Sequence, residues 1–578
     1  LSELILYQGR GRSIQLKRSN SKTTILVIVI AIVVFALALA GINATRNIGK
    51  SAKTISTESA TTSIDKMLRN IEVTYADPVK SQVDLLDTQE EDELPDIDKN
   101  EITVNEDSGL YVEIFTAPER SGSDKDGWMN EMAEKFNRED MQVNGQDVSV
   151  RIRNVTSGLA MEYIATGKYV PDGFSPSNAF WGKMLEADDV RVQTVAERLV
   201  GNVPILMFQN DTYDELMKKY GALNLKTVVE ATANGEITMG YTNPYASSTG
   251  LNFLISTLQT YSPSDPLSDE AVAGFQTFQA NVPFVAYNTP QMKTAVESGS
   301  LTGLIYEYQA YQNDKELQRK YKAVPFGFRH DGPLYAVGNI SDEKLQILQM
   351  FADYCLTDEA QALATEYGFN GMDDYICEQR DVSGDDLLNA QELWKEEKDN
   401  GKPVIAVFVA DVSGSMDGEP INMLRQSLIN GMKYIGKDNY VGLVSYSDDV
   451  TVNVPVGKFD LNHQSAFKGG VESLETGGGT ATFDGIIVGI HLLQEAMAEY
   501  PEAKPMLFVL SDGQSNRGYD LSDIREPLDA LNIPVYTIGY NADIDALSQI
   551  SAINEAASIN ADTDDVVYKI KNLFNANL

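Results

Sequence analysis

The sequence predicts an α/β protein whose last third is a doubly wound, Rossmann-like sheet, preceded by a bilobal α/β unit and an N-terminal transmembrane helix. Three observations predict it. From Pro403 to Leu578, continuous apolar runs of strand length alternate with helical patterns, as in a sheet covered on both faces. From 109 to 375, strands and helices alternate around two long apolar crossings. Residues 25–42 read ILVIVIAIVVFALALAGI, 18 residues without a charge, just long enough to cross a bilayer at about 1.5 Å per residue.

The N-terminal elements set topology. Residues 1–24 carry Arg10, Arg12, Lys17, Arg18 and Lys22 against Glu3, so the positive-inside bias makes them a cytoplasmic tail and exports everything after the helix. Ala38-Leu39-Ala40 resembles a signal-peptidase site, which leaves cleavage as the alternative to an uncleaved signal anchor. Both readings place the folded mass outside the cytoplasm, and the anchored one makes a single-pass plasma-membrane protein. Residues 43–108 are polar and end in DTQEEDELPDIDKNEITVNEDSG, too poor in apolar surface to offset chain entropy, and predict an extended acidic disordered linker.

Composition narrows the function classes. The chain has 46 Lys and Arg against 84 Asp and Glu, a formal charge of −38, which repels phosphate backbones and excludes nucleic acid as a partner. Its 2 cysteines, Cys355 and Cys377, make no zinc cluster; they form either one exported bridge or two reduced core thiols.

The C-terminal elements follow in order. VIAVFVAD (404–411) is a central parallel strand ending in an acid, and 420–435 is a helix. NYVGLVSYS and VTVNVPV make a hairpin at one sheet edge, followed by the helix GIIVGIHLLQEAMAEY. KPMLFVLSDG and PVYTIGY are buried strands followed by the helical segments DLSDIREPLDAL and IDALSQISAINEA, with a terminal helix over 564–574. In such sheets ligands sit at the carboxyl ends of the strands. There the polar residues fall: Asp411, Ser413 and Ser415 leave the first strand, Thr480 follows Gly477-Gly478-Gly479, and Asp512 ends the fourth strand. Two carboxylates and three hydroxyls are hard donors that suit Mg²⁺ first, with Mn²⁺ or Ca²⁺ as alternatives, and leave a bound cation electron-poor enough to accept an acidic side chain from a protein partner. Gly, Ser and Asp also shape ordinary βα turns; the conjunction of three oxygen-rich loops favours the metal.

With these residues in place, 403–578 resembles the von Willebrand factor type A (VWA) family. That resemblance implies that Asp411, Ser413, Ser415, Thr480 and Asp512 form a metal-ion-dependent adhesion site, with Asp512 acting through water, in a protein-binding module that is not an enzyme. Thr482 competes with Thr480, which is preferred because it directly follows the glycines. Gly431 to Asp438 imitates a phosphate-binding loop, but Asp438 replaces the required Ser or Thr and the stretch precedes a strand. His330, His463 and His491 are scattered and read as structural or surface residues.

In the middle of the chain, GLYVEIFTAPE, VSVRIRNV and the helix DGWMNEMAEKFN open the bilobal unit. LVGNVPILMF (199–208) and VPFGFRHDGPLYAV (324–337) read as the outward and return crossings between lobes. This layout, with PDGFSPSNAFW and TNPYASSTGLNFL, resembles bacterial extracellular solute-binding proteins. The candidate cleft residues for a small polar or anionic solute are Ser157, Ser175, Ser177, Ser247, Ser248, Thr249 and Tyr306; helix capping is the alternative for the serines. Phe174, Phe180 and Trp181 line the cleft or pack in the core. Residues 376–402 read as a connecting segment with an amphipathic helix. The combined expectation is a membrane-anchored surface protein that binds a protein partner through a cation, with a transport-system solute receptor as the rival reading.

Overall fold

In the computed structural model the described residues are 55–83, 94–105, 109–282, 285–286, 292, 296, 301–398, 402–512, 515–540, 558–560 and 573–574. The expected membrane segment, 25–42, lies outside them. Among the described residues no helix is long and apolar enough to cross a membrane. The expected helices over 544–556 and over most of 564–574 also lie outside.

The C-terminal sheet has seven strands in the order Val73–Tyr75, Val450–Lys458, Tyr440–Tyr446, Val404–Asp411, Lys504–Ser511, Val535–Gly539, Ser558–Asn560. Every pairing is parallel except Tyr440–Tyr446 with Val450–Lys458, the expected hairpin. Val404–Asp411 is buried along its whole length, because its alternate side chains meet cover on both faces. Phe408 stacks on Phe508 at 4.9 Å on one face, in a core that includes Phe467 and Phe574. The helix Thr482–Glu499 closes the other face, burying Ile486, Ile490 and Leu493. Leu461–Glu472, to which no element is assigned from sequence, is a helix capped by Asp460.

The reading of 43–108 as a wholly unstructured tether is corrected. Thr57–Leu68 is a helix capped by Ser56, with Ala60, Ile64 and Met67 buried. It packs against the helices Leu521–Leu531 and Thr482–Glu499, and Gln494 donates to Thr61 Oγ1 at 3.1 Å. Val73–Tyr75 then adds a parallel strand beside Val450–Val452, so the predicted edge strand is not the edge. Ser81 N donates to Ser465 O at 3.0 Å, and Ser465 Oγ donates to Ser81 O at 2.7 Å. Three apolar side chains at helical spacing suffice for a helix once a larger body offers a surface; composition averaged over 43–108 hides them. The bilobal unit is therefore inserted between two segments of one sheet domain.

That unit holds two sheets. The first lobe runs Ile102–Val104, Gln146–Asn154, Leu110–Thr116, Gly173–Ser175, Leu334–Val337, Val192–Ala196, with Gln142–Val143 paired off the path. The second runs Val285–Ala286, Met239–Thr242, Gly303–Glu307, Pro204–Gln209, Tyr321–Pro325. The chain passes between them at 199–203 and 326–333, as the two apolar crossings predict. Cys355 is buried in the first lobe and Cys377 lies half-buried beyond it; both thiols are free, which settles the open alternative against a bridge.

Candidate metal centre and interlobe cleft

Asp411 ends the central strand in register with Tyr446, while Ala410 pairs with Leu510, so the last residues of both neighbouring strands flank its carboxylate. Ser511 Oγ donates to Oδ2 at 2.6 Å and the Tyr446 phenol donates to the same oxygen at 3.2 Å. Ser413 N donates to Oδ1 at 2.8 Å. Burial raises the Asp411 carboxyl above the usual carboxylate range; the Ser511 and Ser413 donors oppose this, and the charge of nearby Asp512 adds to it.

The hydroxyls of Ser413 and Ser415 lie 3.0 Å apart on the turn that follows. Gly477 N donates to Val412 O at 2.8 Å and Gly414 N to Gly478 O at 3.2 Å, which fastens the glycine loop to that turn. Gly478 has φ +78°, and a Cβ there would stand 2.7 Å from Asp448 Oδ2, so the close approach needs glycine. Thr480 is buried, and its backbone is stitched to the loop after Asp512: its N–H donates to Asn516 Oδ1 at 3.0 Å and its carbonyl accepts from Asn516 N at 2.9 Å. The structure thus brings the three loops that carry Asp411, Ser413, Ser415, Thr480 and Asp512 together. Thr482, the sequence competitor, starts the next helix buried beside the Tyr446 phenol.

The donor chemistry fits a hard dication. Among the described residues no cluster of three or more His, Cys, Asp or Glu could hold a metal, so a cation here would depend on hydroxyl oxygens beside two carboxylates. Arg517, on the third loop, is engaged by Asp448 at 2.7 Å. Sequence reading missed the roles of Tyr446 and Asn516; the strand-end position of Tyr446 was the available signal.

The cleft candidates divide. Ser157 and Ser177 meet, with Ser177 N donating to Ser157 Oγ at 3.2 Å. Ser175 is engaged by the buried Arg120 guanidinium (3.1 Å) and by Pro333 O (2.7 Å). Ser247 caps the helix Ser248–Tyr261, accepting from Gly250 N at 3.2 Å. Ser248 accepts from the Trp181 indole at 2.7 Å, and Thr249 donates to Glu307 Oε1 at 2.5 Å. Each of these hydroxyls thus has a partner within the protein: a helix cap for Ser247, the Trp181 indole for Ser248, Glu307 for Thr249, Arg120 and Pro333 O for Ser175, and each other for Ser157 and Ser177. Tyr306 is half-buried on Gly303–Glu307, and burial pushes its phenol up. Phe174, Phe180 and Trp181 are core residues. The polar centre of the crossing is one that sequence reading passed over. His330 Nδ1 is 2.9 Å from Glu307 Oε1, and its Nε2 is 2.9 Å from Asn252 Nδ2 and 3.1 Å from Asn178 Nδ2. Asn202 Nδ2 donates to Glu307 Oε2 at 2.8 Å.

Fold and site define two classes of domain in one chain. Residues 406–575 match the model of the von Willebrand factor type A domain, and residues 120–370 match that of bacterial extracellular solute-binding proteins. The chain carries a VWA domain and a solute-binding-protein domain. Inter-alpha-trypsin inhibitor heavy chain H3 of Mus musculus is 28% identical over 155 residues, 24% of this chain; the chain spans only 17% of that relative. Among solved structures, a von Willebrand factor type A protein from Catenulispora acidiphila is 18% identical (TM-score 0.27), covering 30% of this chain and 42% of its own. Iron-bound HitA from Pseudomonas aeruginosa is 16% identical (TM-score 0.34), covering 50% of this chain and 99% of its own.

Proposed function

We propose that this is a membrane-anchored extracytoplasmic protein that binds a protein partner through a divalent cation held at the strand ends of its VWA domain. The observation that carries the reading is the meeting of three oxygen-bearing loops at the buried Asp411 carboxylate. Ser413, Ser415 and Thr480 would hold the ion with Asp411 and Asp512, Mg²⁺ being the best match to this donor set. When bound, it supplies a positive charge for an acidic side chain of the partner, in a charge-assisted contact. Ser511, Tyr446 and Ser413 N fix the Asp411 carboxylate, so the chain's own part is orientation, not bond-making, and no enzymatic step is proposed. The residues 25–42 serve as the signal anchor, N-terminus inside.

The test is capture of surface proteins by the full chain in magnesium and in chelator, with Ser413→Ala/Ser415→Ala alongside. Capture that needs magnesium and the two serines is expected; capture indifferent to chelator refutes the reading. A second reading, a solute receptor docked through its VWA domain, draws support from the family match over 120–370. Calorimetry against sugars, amino acids and oxyanions distinguishes it.

A further inference from the structure

The two lobes are bridged by an element outside both of their sheets. The helix Gly384–Glu397 opens with a capping box, Ser383 with Asp386, and buries Leu387, Ala390, Gln391 and Trp394. Its N-terminal end sits on the first lobe. A Cβ at Gly384 would lie 2.1 Å from Lys183 O and 2.9 Å from Ala187 Cβ, so the helix meets Phe180–Ala187 backbone against backbone. Lys183 Nζ donates to Val382 O at 2.9 Å and pairs with Asp381. Its C-terminal half sits on the second lobe. Gln391 Nε2 donates to Pro244 O at 2.9 Å, the Trp394 indole donates to Tyr241 OH at 2.7 Å, and Gln276 Nε2 donates to Glu397 Oε2 at 2.7 Å. Just ahead of it, Gln259 and Arg380 exchange two hydrogen bonds, at 2.9 and 3.1 Å.

We infer that this helix is a strap that holds the two lobes closed, so that the module opens only when the strap lifts from one of them. Three further facts support it. Trp181, on the first-lobe helix that the strap covers, reaches across to Ser248 at the start of the second-lobe helix that the strap also covers. On the other side of the crossing, Gln309 Nε2 donates to Lys125 O at 2.9 Å and Tyr367 O at 3.1 Å, which joins second-lobe to first-lobe segments there as well. The strap also reaches the VWA domain, where its Lys395 Nζ stands 5.6 Å from the Tyr434 ring. A helix with partners on both lobes loses one set whenever the lobes part, so opening is coupled to its release. The inference concerns lobe motion and stands independently of the metal reading.

The test places spin labels at Glu139→Cys in the first lobe and Glu215→Cys in the second, with Cys377→Ser, in the full chain. One narrow interlobe distance is expected. Gly384→Ala, which drives a methyl into Lys183 O, should shift and broaden it, and Gln391→Ala/Trp394→Phe, acting on the other lobe, should do the same. Circular dichroism confirms folding of each variant. Distances that stay at the unsubstituted value in both refute the strap. Hydrogen exchange on the unsubstituted chain needs no variant: the amides of 384–397 should exchange in step with the Trp181 and Ser248 segments. A strap that exchanges much faster than those segments overturns the proposal.

Discussion

At the scale of single residues, Asp411 shows how a strand end holds a buried carboxylate in a fixed orientation. Its carboxylate is fully buried with three donors, and removing a carboxylate from water costs more than neutral donors return. Asp411→Asn should therefore raise the melting midpoint of the chain in chelator at pH 7 by roughly 2–4 °C, about 1 kcal/mol, and remove any rise caused by Mg²⁺. Thermal melts with chelator and with magnesium check both halves, and a fall in chelator would show that the donors outweigh desolvation. Ser413→Ala should leave stability in chelator within about 1 kcal/mol of the parent, since a single hydroxyl contact is lost, and on the proposed metal reading it should weaken Mg²⁺ binding at least tenfold by calorimetry. The DxSxS spacing and the two later loops were legible in the sequence, because strand length and an acid at the strand end are local properties. The partners of Asp411 were not: Tyr446 and Ser511 are 35 and 100 residues away, and only the sheet register brings them in.

At the scale of elements, the helix Thr57–Leu68 is the sharpest departure from expectation. Ile64 has no exposed surface, so Ile64→Ala should cost about 2–5 kcal/mol and lower the denaturant midpoint of the VWA transition. A solute-binding-module transition that moves instead would locate the helix on the wrong domain. Ser383→Ala removes the cap of the strap helix and should cost about 1 kcal/mol, read by chemical denaturation. Both helices are short and mostly polar, and their amphipathic pattern acquires meaning only against the surface they cover. The long apolar elements, Val404–Asp411 and Thr482–Glu499, announced themselves because burial on two faces, or along most of a helix, forces apolar residues into nearly every position.

At the scale of the whole molecule, the VWA domain is assembled from two stretches of chain with the solute-binding module between them. A fragment of 402–578 lacks the helix and strand of 57–75 and should melt below the full chain, and a synthetic peptide of 55–83 should raise its midpoint by mass action. A midpoint indifferent to the peptide would show that the added strand is ornamental.

The sequence by itself determined the α/β class, the order of the two domains, the crossings between lobes and the loops that carry the candidate ligands, since each depends on patterns a few residues long. Tertiary structure alone decided that 57–83 belongs to the last domain, that the cleft hydroxyls serve caps and bridges, and that the connecting helix spans both lobes. Those outcomes depend on which surfaces meet, and contacts between residues hundreds of positions apart leave no periodicity in the chain.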